Sequence, residues 1–133
     1  MTLMNQILAQ QLIAKAEEKA SNLGVNVCIA ITDQGGHLTA FKRMDKAFTG
    51  SVEVAIAKAK TSSLFPVSSG DFGQLIREEQ LTGMELTNQG LIGFAGGVPV
   101  FIQDSQVGAV GISGASAEED NAIAEFATNE VNR

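Results

Sequence analysis

The chain has 133 residues, with 15 acidic and 9 basic side chains, a formal net charge of −6, 44% apolar residues, no Trp and no Tyr. Its length suits one domain, 1–133, with a single core. The acidic balance and scattered basic residues argue against nucleic acid or an anionic membrane as partner, because phosphate contacts need clustered Lys and Arg.

No apolar run approaches the ~20 residues a bilayer requires. The amino terminus shows no basic segment followed by an apolar one, so no signal peptide is expected. The single cysteine, Cys28, lies in an apolar strand pattern and reads as a buried, inert thiol. A cytoplasmic location is the expectation. The small apolar side chains and the 14 glycines imply thin, closely packed layers, and a core that leans on contacts within a homo-oligomer.

Met4, Leu8, Leu12, Ala16 and Ala20 recur every four residues and predict a first helix that stops at Gly24. Val25, Val27, Ile29 and Ile31 alternate with Asn26, Cys28, Ala30 and Thr32, predicting a strand with one bulky and one small face. Asp33-Gln34-Gly35-Gly36 is a turn, and His37 to Met44 is the returning strand. Gly50 and Ser51 open a second helix through about Phe65, apolar nearly all round and therefore expected between the sheet and a neighbouring subunit. Pro66 ends it, and Ser68-Ser69-Gly70-Asp71 looks like the cap of a short third helix. From Glu78 to Gly97 the pattern weakens into loop with short helical and extended pieces. Val98 to Ile102 and Val107 to Ser113 predict a second hairpin, with Pro99 marking a strand end or edge. Ser116-Ala117-Glu118-Glu119 is a capping box that opens the last helix. Hairpins rather than strand-helix-strand alternation give an α+β fold: an antiparallel sheet with helices against it.

The chemistry is sparse. One histidine and one cysteine make no dedicated zinc site, so no metal is expected. No Gly-x-Ser-x-Gly elbow and no Gly-x-Gly-x-x-Gly fingerprint is present, and no catalytic residue is assigned. His37, after the Gly-Gly turn, is either a solvent-exposed hairpin histidine or an axial ligand or proton carrier, since neutral imidazole suits both tasks. Arg43 and Asp45 either pair with one another or bind a carboxylate-bearing ligand. Lys58 and Lys60, on an otherwise apolar helix, must reach solvent or find an anion such as a propionate. Gly108, Gly111 and Gly114 are explained by close packing of helix on sheet.

Five short motifs fall in order along the chain: Thr32-Asp33-Gln34-Gly35-Gly36-His37-Leu38, Arg43-Met44-Asp45, Lys58-Ala59-Lys60-Thr61, Gly96-Gly97-Val98-Pro99, and Gly108 to Ala115 continuing to Asp120. In them the chain resembles the GlcG/HbpS family, the haem-degrading domain, which includes the carboxy-terminal domain of PduO-type proteins and the OrfY-like proteins. The resemblance implies a profilin-like sandwich, a five-stranded antiparallel sheet with helices on its faces, assembled as a homo-oligomer. It also implies haem or a related tetrapyrrole as small-molecule ligand, and an accessory role in glycolate, glycerol or diol metabolism linked to cobalamin. Lys46 stands where the family commonly has glycine, and Ser62 where it commonly has alanine. Together with the residue reading, the resemblance puts the cofactor-binding residues at His37, Arg43, Asp45, Lys58, Thr61, Gly96 and Gly97. Two other functions stay open: an enzyme acting on a small hydroxy-acid or aldehyde through an anion pocket of Arg43, Lys58 and Lys60, and an oligomeric scaffold without a ligand.

Overall fold

The computed structural model describes residues 3–133. The first helix, α1 (Gln6–Leu23), starts where the Asn5 side chain accepts the Leu8 N–H, and ends at Gly24 with φ of 73°. Its buried stripe is Ala9, Leu12, Ile13, Ala16 and Ala20. Strands β1 (Cys28–Asp33) and β2 (Leu38–Arg43) form the first hairpin. Helices α2 (Gly50–Leu64) and α3 (Ser69–Glu78) follow, the second capped by Ser68, whose hydroxyl accepts the Asp71 N–H. Strands β3 (Gly97–Ile102) and β4 (Ser105–Ser113) turn tightly through Gln103 and Asp104, both left-handed. Helix α4 (Ala117–Thr128) opens on Ser116 and Glu119, which form the expected capping box.

The sheet is antiparallel, in the order β2-β1-β4-β3, and has four strands among the described residues. The five strands implied by the resemblance are therefore corrected to four. Residues 79–96 supply no further strand because their backbone keeps reversing: Gln80, Gly83, Asn88, Gln89, Gly90 and Gly96 all have positive φ, around a short 3-10 turn at Met84–Leu86. A strand needs consecutive extended residues. The outer edge of β3 is also occupied. The Asn132 carboxamide accepts the Phe101 N–H at 2.8 Å and donates to the Pro99 carbonyl at 2.9 Å, taking the place of a neighbouring strand.

The two faces of β1, with Val27 just before it, behave as the alternation requires. Val27, Ile29 and Ile31 join α1 and α4 in the larger core with Val100, Val110, Ile112 and Ile123. Cys28 and Ala30 face α2 in a smaller core with Ala55 and Ala59. The small side lets α2 lie almost on the sheet. Gly97 and Gly111 are paired across β3 and β4. A methyl on Gly111 would sit 2.1 Å from the Ala55 carbonyl oxygen, and one on Gly97 would sit 2.4 Å from that of Lys58. The glycines are there so that the helix backbone can approach the strands.

Candidate functional site

The β1–β2 turn is built by one carboxylate. Asp33 Oδ1 accepts the Gly35 N–H at 2.9 Å and the His37 N–H at 3.0 Å, while the Asp33 backbone exchanges hydrogen bonds with Gly36 and His37. This Asx-type arrangement stiffens the loop. It also sets the His37 ring beside the same oxygen, with Nδ1 3.3 Å from Asp33 Oδ1 and the side chain 82% exposed. The imidazole edges an open cleft of about 330 Å³, whose apolar members are Leu3, Met4 and Val107. Behind the turn, Gly36 abuts Leu64 and the stem of Lys60 on α2. The Lys60 ammonium donates to the Asn88 carbonyl.

Arg43 stands at the other end of β2, roughly 20 Å from His37 at ~3.3 Å per strand residue. Its guanidinium donates to the Ala47 carbonyl at 2.8 and 3.2 Å and to Thr49 Oγ1 at 3.1 Å, fastening the loop before α2. Asp45 is exposed in that loop. Neither is directed at the histidine cleft.

Lys58, Thr61, Gly96 and Gly97 form a third locality, inside the α2 side of the molecule. Lys58 is buried, 1% exposed. Its ammonium donates to the Ile112 carbonyl at 2.8 Å and to Asp120 Oδ2 at 3.1 Å, under the ring of Phe94, whose centroid is 5.0 Å away. Burial pushes the Lys58 ammonium below its ordinary value, against the attraction of Asp120 and their hydrogen bond. Asp120 is pushed up by the same burial, against Lys58 and the hydrogen bonds from Ala115 and Gly114. Thr61 donates to the Ala57 carbonyl and accepts the Ile92 N–H, tying the irregular segment to α2. Gly96 and Gly97 give room for the Lys58 side chain and backbone.

The seven residues thus occupy three places. Arg43 and Lys58 have internal partners and form no shared anion pocket with Lys60. Sequence reasoning missed Asp33 as the neighbour of the His37 ring and Asp120 as the partner of Lys58. The Asp33-Gln34-Gly35-Gly36 turn carried the first signal. The second pair is 62 residues apart and carried none.

A family model described as haem degrading protein HbpS-like matches residues 4–129. The chain belongs to the HbpS-like family. An uncharacterised 15.0 kDa protein in the dhaT-dhaS intergenic region of Citrobacter freundii is 33% identical over 121 residues, covering 90% of this chain and 85% of that one. The corrinoid adenosyltransferase PduO of Salmonella typhimurium is 33% identical over 124 residues, which are 92% of this chain but only 37% of PduO. Among solved structures, that of a PduOC:heme complex superposes with a TM-score of 0.91 at 31% identity, covering 98% of this chain and 96% of the other. As an HbpS-like protein the chain has, among its described residues, no helix long and apolar enough to cross a membrane. Nor do those residues include a cluster of three or more His, Cys, Asp or Glu side chains suited to a metal ion.

Proposed function

We propose that this HbpS-like chain is a small-molecule-binding accessory protein whose ligand is haem, held through the His37 imidazole. The observation that carries the reading is the exposed His37 ring at the mouth of an apolar-flanked cleft, in a chain that superposes on the PduOC:heme complex over nearly its full length. The donor set suits the group. A neutral imidazole is a common axial ligand of haem iron, and Leu3, Met4 and Val107 offer apolar surface for a macrocycle edge. Lys60, whose stem lies against Gly36 of the same turn, would have to leave the Asn88 carbonyl to serve as the cation for a propionate. Bound haem would supply an iron centre, while the protein supplies the ligand, the orientation and partial shelter from water.

An accessory place in diol or glycerol metabolism linked to corrinoids belongs to this reading. The corrinoid link is supported by the likeness to the corrinoid adenosyltransferase PduO, and the metabolic setting by the family resemblance. Self-association belongs to it as well. Phe48, just ahead of α2, is 71% exposed, and the outer side of α2 borders a groove of about 320 Å³ with Val54, Ala57, Leu91 and Ile92.

Haemin titration tests the ligand. The expected result is a shifted Soret band that saturates at one haem per chain. A spectrum equal to that of free haemin at every ratio would remove haem from the account.

A further inference from the structure

We infer that Asp33 is a positioning residue for His37: its carboxylate, fixed by the turn beside Nδ1, favours the imidazole with hydrogen on Nδ1 and so leaves the electron pair on Nε2. The inference deepens the haem reading and rests on it for the identity of the acceptor. It stands on three features of the turn.

The Asp33 carboxylate is fixed before it meets the ring, because Oδ1 already accepts two backbone N–H groups, from Gly35 and His37. The same oxygen lies 3.3 Å from His37 Nδ1, and no other acidic oxygen lies within 4.0 Å of the ring nitrogens among the described residues. An ionised carboxylate only accepts, so it favours the ring form whose Nδ1 carries hydrogen. Metal-bound imidazoles commonly use their second nitrogen in this way, which fixes ring orientation and raises ligand basicity.

Gly35 keeps the space free. A methyl placed on it would lie 3.0 Å from both Cε1 and Nδ1 of His37, and its next neighbour would be Asp33 Oδ1 at 3.4 Å. Its φ lies outside the left-handed region, so the backbone accepts alanine there. Glycine at 35 thus leaves the ring room beside the carboxylate.

Two substitutions separate the parts. Asp33→Asn keeps an oxygen for the backbone N–H groups but removes the charge; Gly35→Ala crowds the ring and leaves the carboxylate in place. Nitrogen-15 NMR of the haem-free protein should show His37 mainly with hydrogen on Nδ1, and Asp33→Asn should abolish that preference. With haemin, Asp33→Asn should weaken binding by about 10- to 100-fold and raise the midpoint potential of the bound iron. Gly35→Ala should speed haem loss without unfolding the chain. If both variants keep wild-type affinity and potential while His37→Ala loses haem, Asp33 has no positioning role although the ligand assignment stands. If His37→Ala binds haem like wild type, the ligand assignment falls and the positioning role toward iron falls with it. A wild-type His37 protonated on Nε2 in the haem-free protein overturns the Asp33 inference whatever the haem result.

Discussion

The Lys58 ammonium and the Asp120 carboxylate lie 3.1 Å apart with side chains 1% and 4% exposed, joining the middle of α2 to the first turn of α4. Taking two charges out of water is costly, and their attraction offsets that cost only when the remaining hydrogen bonds are met. Here Ile112 and Ala115 meet them. Lys58→Met alone strands the buried carboxylate and should lower stability by about 3–5 kcal/mol in urea denaturation. Lys58→Met/Asp120→Asn should recover most of that loss. Equal losses in the single and double variants would show that the pair is not a unit.

The same pair gives a pH signature. Asp120 is raised above its ordinary 3.8 by burial, so the folded chain takes up this proton more readily than the unfolded one. Its contribution therefore grows as pH falls through the raised value toward 3.8 and is lost as pH rises again. Lys58 is lowered from 10.5 by burial, so its contribution grows as pH rises through the lowered value toward 10.5. Subtracting the double variant from wild type should give a stability difference that is lowest near neutral pH and rises on both sides. A difference independent of pH contradicts both shifts.

Gly111→Ala tests the close contact of helix and sheet. Its methyl would meet the Ala55 carbonyl oxygen at 2.1 Å and the Ala59 nitrogen at 2.5 Å, both backbone atoms that cannot move alone. The expected loss is about 3 kcal/mol or more. An unchanged melting temperature would mean that α2 can lift from the sheet freely.

Two substitutions should stabilise the protein. Ser62 is fully buried and its hydroxyl has no hydrogen-bond partner among the described residues. Ser62→Ala removes that unmet group and should gain about 1 kcal/mol. Lys46 has φ of 73°, a conformation that costs a side-chain-bearing residue about 1 kcal/mol, so Lys46→Gly should gain a similar or smaller amount. Calorimetric melting of each variant decides; a fall in melting temperature would refute the strain or the unmet group concerned.

Cys28 should behave as a structural thiol. It is 0% exposed, and burial pushes it above its ordinary 9.0, with Arg43 acting the other way. Thiolate is the reactive form. Ellman's reagent should label it roughly 100-fold more slowly in the folded protein than in urea. Immediate labelling of the native chain would place the sulfur near solvent.

Local signals carried much of the fold into the sequence. Gly24, Ser68 and Ser116 mark their helix ends, because caps are short-range hydrogen-bond patterns. The two-sided alternation of β1 shows which side chains face α1 and which face α2. The fifth strand came from resemblance, whereas the two hairpins legible in the residues give the four observed. Non-local chemistry was not legible. Lys58 reads as a lysine that must reach solvent or find an anion until Asp120 is folded against it, and nothing before folding pairs Asn132 with the edge of β3. Arg43 reads as a partner of Asp45 or of a ligand carboxylate until the Ala47 carbonyl takes it. At the histidine turn, the motif located His37, and the structure added its fixed carboxylate neighbour.

The central claim is that His37 is where haem attaches. Its most direct test is the absorption spectrum of haemin titrated into His37→Ala beside wild type, with circular dichroism verifying that both are folded. A shifted, saturating Soret band is expected in wild type and a spectrum close to free haemin in the variant. Superimposable titrations of the two proteins would contradict it.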